Sequence, residues 1–202
     1  MTGASKPDRR VYRDIVRRLD GRSIVLVGIM GAGKTAIGRR LADRLHLPFT
    51  DADQEIETAA NMTIPEIFES HGETYFRDGE RRVIARLLGE RAQVLSTGGG
   101  AFMNDETRKR IKQDAVSIWL HAELEILMER VRRKSNRPLL KSADPDQVMR
   151  DLLATRNPVY AEADLAVESF DGPHDAVVDQ VVIALDQHLD TAIGASAMGS
   201  AR

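Results

Sequence analysis

Cysteine is absent from the 202 residues. Its absence excludes a disulfide framework, a thiolate metal site and a cysteine nucleophile. An excess of one charge is also lacking, since 29 Lys and Arg stand against 31 Asp and Glu for a formal net charge of -2. That balance argues against a bulk electrostatic grip on nucleic acid, so any basic cluster must act locally. No apolar run approaches the ~20 residues of a membrane span, and no membrane partner is expected. The histidines, His46, His71, His121, His174 and His188, lack metal-ligand spacing and read as surface or core residues.

The amino-terminal segment carries Arg9, Arg10, Arg13, Arg17 and Arg18 without the apolar core of a secretory signal. Asp8, Asp14 and Asp20 weigh against an acid-poor organelle transit peptide, and a cytoplasmic location is expected. Val11, Ile15 and Leu19 recur at helical spacing. Residues 1–20 therefore read as an extension forming a short amphipathic helix packed on one domain, residues 21–189. Residues 190–202 are small and weakly patterned and read as a flexible tail.

Within the domain, Ser23-Ile24-Val25-Leu26-Val27 is a continuous apolar run, as in a strand buried on both faces of a parallel sheet. Further short strands are predicted at Pro48–Asp51, Gln93–Ser96, Val116–Leu120 and Leu165–Val167. Helices are predicted at Thr35–Leu45, from Thr63 through Phe68, and over Tyr75–Leu88 and Glu123–Arg133. Two more are predicted at Gln147–Asn157, stopped before Pro158, and Val177–His188. Thr63-Ile64-Pro65-Glu66 is a capping-box pattern. Alternating strands and helices imply an α/β fold with a parallel sheet covered on both faces. Ligands of such sheets bind at the carboxyl ends of the strands, which brings Gly28, Asp51, Gly98 and Glu168 to one rim.

Gly28-Ile29-Met30-Gly31-Ala32-Gly33-Lys34-Thr35 fits G-x-x-x-x-G-K-[ST] after a buried strand and before a helix. Backbone N–H groups from Gly31 through Ala36 can cradle phosphate oxygens. Lys34 can reach the β- and γ-phosphates, and the Thr35 hydroxyl can ligate Mg²⁺. A second metal-supporting acid does not follow the third strand, which runs into Gly98-Gly99-Gly100. Asp51-Ala52-Asp53 is the available source, one carboxylate for the metal and one for an acceptor hydroxyl. Taken alone, the pair also reads as a helix N-cap with a solvated neighbour. Arg77 and Arg156, taken alone, read equally as solvated helix residues, and Arg137 as a loop charge. The three glycines after a buried strand suit close backbone approach to a ligand.

Several further signatures follow in order: Glu55-Ile56-Glu57, Ile67-Phe68, Gly72-Glu73, Phe76-Arg77, Glu80, Ser96–Ala101, Arg137-Pro138-Leu139-Leu140 and Arg156-Asn157-Pro158-Val159-Tyr160. With the phosphate loop and Asp51-Ala52-Asp53, this pattern closely resembles the shikimate kinase family over roughly residues 21–189. The resemblance implies a P-loop kinase fold: a central five-stranded parallel sheet, helices on both faces and a mobile lid over about 132–146. It implies ATP and shikimate as substrates, Mg²⁺ as cofactor and a monomer, with transfer of the γ-phosphoryl group to the shikimate 3-hydroxyl. By that resemblance Lys34, Asp53 and Arg137 are catalytic, and Thr35 and Asp51 serve the metal. Asp53, Arg77, Arg156 and the Gly98-Gly99-Gly100 backbone would bind shikimate, Arg77 and Arg156 as a paired clamp on its carboxylate. Arg133, or its neighbour Arg132, and Pro173 would meet adenine. One departure lies in Val167–Pro173, where Glu168 stands in place of the family's usual Asp. The competing readings are a kinase for another polyol acid such as gluconate and a noncatalytic nucleotide-binding module.

Overall fold

The computed structural model describes residues 8–133 and 144–199, with side chains up to Thr191 in the last helix. Arg137 and most of the expected lid lie outside these residues. The five strands are β1 (Ser23–Val27), β2 (Phe49–Asp51), β3 (Val94–Ser96), β4 (Ala115–His121) and β5 (Leu165–Glu168). They form one parallel sheet in the order β2-β3-β1-β4-β5. All of β1 is buried, as its unbroken apolar run requires of a central strand covered on both faces. The chain passes from β1 outward to β2, returns to β3 beside β1, then crosses to β4 on the other side. The β1–β3 crevice is thus the topological switch point, where α/β sheets hold ligands. Thr97 pins that crevice: its N–H and its hydroxyl both donate to the Leu26 carbonyl, at 3.2 Å and 3.0 Å.

Helix α1 (Arg9–Leu19) packs on α2 (Lys34–Leu45) and α8 (His174–Gly199) through fully buried Ile15 and Leu19. Arg18 adds ion pairs to Asp186 and Asp190 of α8. Helix α2 opens directly on the phosphate loop and buries Ile37, Leu41 and Leu45 along one stripe. The apolar periodicity of α8 ends near His188, whereas the helix continues to Gly199. Ala192, Ala195 and Ala197 in that stretch are strong helix formers, and no proline stops it.

Helices α3 (Ala52–Ala60) and α5 (Asp105–Asp114) have no counterpart among the predicted elements. Each buries only two side chains, Ala52 and Ile56 in α3, Thr107 and Ile111 in α5, too thin a stripe to show a period. The stretches predicted at Thr63–Phe68 and Tyr75–Leu88 form one element, α4 (Ile64–Leu88), with a break at Gly72 (φ 79°, ψ 176°). Its capping box is present: Thr63 N–H donates to Glu66 Oε2 at 2.7 Å, and Glu66 N–H donates to Thr63 Oγ1 at 3.4 Å. Helix α6 spans Leu124–Arg132. Helix α7 (Pro145–Tyr160) runs through Pro158 instead of stopping before it. In the last turn the proline forfeits one backbone bond. Complete burial of Tyr160, worth roughly 1.5–3 kcal/mol, offsets that loss. The added residues bring Arg156 and Tyr160 onto one face of α7. Among the described residues, no helix is long and apolar enough to cross a membrane.

Candidate active site

A cavity of about 390 Å³ opens at the carboxyl rim of the sheet. Gly31, Gly33, Lys34, Thr35, Ala36, Asp51, Asp53, Gly98, Gly99 and Arg133 line it. Ala32 is buried within the loop. Arg77, Gly100, Arg156 and Pro173 are not among the lining residues: Arg77 rests against Gly100 and Arg156 against Gly99, while Pro173 lies between the lining residues Gly172 and His174. A separate cavity of about 300 Å³ lies between α3 and α4. The arginines on its rim are spent on neighbours, Arg82 on Asp78 and Arg86 on Glu55 and Glu90, so it presents no convergent reactive groups.

At one end, Gly31 and Gly33 take φ values of 86° and 90°, a backbone that a side chain would strain. Buried Lys34 reaches back under the loop, donating to the carbonyls of Gly28 at 2.7 Å and Ile29 at 3.0 Å. Thr35 Oγ1 donates to Asp51 Oδ2 at 2.8 Å. The other carboxylate oxygen, Oδ1, accepts from the Asp53 N–H at 3.1 Å and caps α3. Asp51 therefore caps a helix, one of the two readings the sequence left open, and also meets the phosphate-loop hydroxyl. One hydroxyl and one carboxylate oxygen are the hard donors that Mg²⁺ accepts, with phosphate and water completing the set. Among the described residues, no group of three His, Asp or Glu side chains forms a protein-only metal cage.

At the other end, the glycine turn is crowded by side chains from separate helices. A Cβ on Gly98 would lie 2.7 Å from Asp53 Oδ1 of α3 and 2.8 Å from Glu80 Oε1 of α4. A Cβ on Gly100 would collide with the Arg77 guanidinium. The Gly99 carbonyl accepts from Arg156 Nη1 at 3.3 Å and from the Tyr160 hydroxyl. Glycine at these positions lets Asp53, Glu80, Arg77 and Arg156 close around bare backbone.

Arg77 is held by two unequal carboxylates. Its Nη1 donates to Glu80 Oε2 at 2.8 Å, while Nε and Nη2 both donate to Glu73 Oε1 at 3.2 Å. Burial opposes the Arg77 charge, but the bonds to Glu80 and Glu73 outweigh it and raise the pKa. Glu80 is only 3% exposed, and its Oε1 has no hydrogen-bond partner among the described residues. Burial raises the Glu80 pKa, Arg77 pulls it back, and nearby Asp53 pushes it up again. Glu80 and Tyr160 belong to the sequence pattern without an assigned role there. Their signals are the spacings Arg77-x-x-Glu80 and Arg156-x-x-x-Tyr160, which share a helix face.

A third arginine, unmarked in the sequence, faces the loop after β5. Arg130 of α6 lines the cavity. It donates from Nη1 to Ser169 Oγ at 2.8 Å and from Nη2 to the Phe170 carbonyl at 2.7 Å. Burial lowers its pKa. Arg133 is exposed and pairs with Glu129, and Arg132 pairs with Asp146 at 2.9 Å. Among these three, Arg130 is the one that grips the loop after β5.

A shikimate kinase family model matches residues 30–186. Shikimate kinase from Bradyrhizobium diazoefficiens is 60% identical over 176 residues, 87% of this chain and 85% of the relative. That from Brucella canis is 48% identical over 199 residues, 98% of this chain and all of the relative. The structure of Acinetobacter baumannii shikimate kinase in complex with shikimate superimposes with a TM-score of 0.77 at 40% identity, covering 85% of this chain and 96% of that one. A gluconokinase from Sinorhizobium meliloti, at 18% identity and a TM-score of 0.55, shares the fold alone.

Proposed function

The chain belongs to the shikimate kinase family and is a small-molecule kinase, and from that premise we propose how its rim performs the transfer. ATP lies along the phosphate loop, with its phosphates on the Gly31–Ala36 backbone and Lys34. Shikimate sits on the Gly98–Gly100 turn, its carboxylate between Arg77 and Arg156 and its 3-hydroxyl at Asp53. The γ-phosphoryl group passes to that hydroxyl, giving shikimate 3-phosphate and ADP. The observation that carries this reading is the convergence of Asp53, Arg77 and Arg156, from three helices, on one glycine turn beside the phosphate loop.

Positioning and charge neutralisation dominate a loose phosphoryl-transfer transition state. Lys34 exchanges its bonds to the Gly28 and Ile29 carbonyls for phosphate oxygens. Asp53 orients the hydroxyl and takes its proton late. Thr35 and Asp51 would hold Mg²⁺, which supplies charge neutralisation on the phosphates when bound. Arg137 joins this set by family resemblance alone. Arg130, already fixed on the loop after β5, faces the nucleoside, with Arg133 at the outer rim and the Gly172–His174 backbone, including Pro173, beside it. Every group in this scheme comes from one chain, so a monomer carries a full site. Dependence on ATP suits a cytoplasmic enzyme.

Coupled ADP release tests the reading, with shikimate, gluconate or no acceptor. Turnover is expected with shikimate and near background with the other two. Lys34→Ala should lose more than ~100-fold of it with the fold intact, the scale of losing a preorganised charge donor. Gluconate-driven turnover, or a near-normal Lys34→Ala, would overturn the scheme.

A further inference from the structure

The glycine turn is held from behind by a residue that the scheme above does not use. Tyr160 ends α7, is fully buried, and donates its hydroxyl to the Gly99 carbonyl. Arg156, one helical turn earlier, donates to the same carbonyl at 3.3 Å. Both lone pairs of one carbonyl oxygen are therefore used by α7. A trans peptide is planar, and its C=O and N–H point in opposite directions. Holding the Gly99 carbonyl against α7 therefore aims the Gly100 N–H away from α7, and that N–H forms no backbone hydrogen bond among the described residues. Gly100 is also the position against which the Arg77 guanidinium rests.

The phenol ring is itself immobilised. It lies 6.5 Å from the Phe102 ring at an interplanar angle of 19°, and 6.1 Å from the Trp119 ring at 27°. Trp119 belongs to β4, and Phe102 to the short 3₁₀ turn Ala101–Met103 that continues from the glycines. The hydroxyl is thus presented by a fully buried ring with two aromatic neighbours. Burial pushes the Tyr160 pKa up to about 12, so the group remains a neutral donor throughout the working range.

We propose that Tyr160 is a positioning residue for acceptor binding: its hydroxyl, together with Arg156, fixes the Gly99 carbonyl and so sets the backbone and the Arg77 contact that shikimate meets. This rests on the reading that shikimate occupies the glycine-turn end of the cavity. Tyr160 touches neither substrate. Its loss acts on acceptor affinity through the turn; Gly99 lies beside the Gly28 and Met30 backbone at the start of the phosphate loop, and the Gly31–Ala36 segment proposed to hold the phosphates is not held by Tyr160.

The test is Tyr160→Phe in the full chain, which keeps the ring and removes the donor. Steady-state kinetics with both substrates are read beside emission of Trp119, the single tryptophan and a direct neighbour of the ring. Shikimate KM and Kd should rise about fivefold, the factor that one neutral hydrogen bond is worth. The ATP KM should stay within about twofold, and the Trp119 emission maximum should not move. Para-aminophenylalanine at position 160 restores a donor and should recover part of the shikimate affinity. A folded Tyr160→Phe with unchanged shikimate affinity overturns the proposal. So does an equal loss for both substrates, or a variant that yields no folded protein, since either marks a purely structural residue. Arg77→Ala separates the two layers of inference. If it leaves shikimate affinity unchanged, the acceptor site itself is misplaced. If it weakens shikimate and Tyr160→Phe does not, only the role of Tyr160 falls.

Discussion

Gly98→Ala places one methyl group between the two carboxylates that the glycine turn keeps close. The new carbon would lie 2.7 Å from Asp53 Oδ1 and 2.8 Å from Glu80 Oε1. A comfortable nonbonded separation is about 3.5 Å, so one or both groups must retreat by roughly 0.7 Å. Gly98 does not occupy the positive-φ region, so alanine meets crowding and not backbone strain. Glu80 is buried and bonded to Arg77, whereas Asp53 lines the open cavity and has space into which it can be displaced. A misplacement approaching 1 Å at a reacting group can cost about 100-fold, so kcat should fall about 10- to 100-fold. The ATP KM should change little. Overpacking should cost about 1–3 kcal/mol of stability, read as a drop of several degrees in Tm. The neighbours provide the contrast. On Gly99 the nearest atoms to a new Cβ are 3.5 Å away or more, so Gly99→Ala should be the mildest of the three. Gly100→Ala strikes Arg77 and should raise the shikimate KM more than it lowers kcat. The assay is coupled ADP release with each substrate varied, beside thermal unfolding. A folded Gly98→Ala with kcat within about threefold of the parent would refute the placement of Asp53 at the reacting hydroxyl.

Asp53→Asn should cut turnover severely while nucleotide still binds, whereas Asp51→Asn should raise the Mg²⁺ requirement and recover part of its rate in excess metal. A magnesium titration of both variants checks this, and rescue of Asp53→Asn alone would reverse the two roles. A chain beginning at Asp20 loses fully buried Ile15 and Leu19, each worth roughly 1.5–3 kcal/mol. Its urea midpoint should fall clearly while the shikimate KM of the folded fraction stays put, and an unchanged midpoint would show that α1 contributes nothing. Glu73, whose side chain is 67% exposed, occupies the Arg77 nitrogens that a substrate carboxylate needs. An exposed pair of this kind is worth under about 1 kcal/mol, so Glu73→Ala should leave the shikimate KM unchanged or lower it up to about threefold. A tenfold rise would mean that Glu73 is needed to aim Arg77.

The phosphate loop, β1 and the strand-end acids were legible in the sequence because each is a local signal: an apolar run, a glycine spacing, a carboxylate pair. The parts that escaped are of two kinds. Helices α3 and α5 are charged over most of their surface and bury too little to mark a period, and Pro158 hides a final turn sustained by one buried phenol. The second kind is pairing across the fold. Arg130 reads as an ordinary helix-surface arginine until the loop after β5 lies against it, because nothing near residue 130 announces residues 169 and 170.

The arginines of the acceptor end show why residue types alone do not settle a site. In one dimension Arg77 and Arg156 are equivalent cations on amphipathic helices. In the fold they are not. Arg77 arrives with Glu80 buried beneath it and Glu73 exposed beside it, so its charge is already compensated and only its outer face is exchangeable. Arg156 donates to a neutral carbonyl and makes no direct ion pair among the described residues, feeling the buried Glu80 only at longer range. On the proposed acceptor placement, a carboxylate entering between them would gain most of its new charge from Arg156 and most of its geometry from Arg77. This division requires both arginines to meet the same glycine turn, and the strand order β2-β3-β1-β4-β5 supplies that meeting by ending β3 at the switch point.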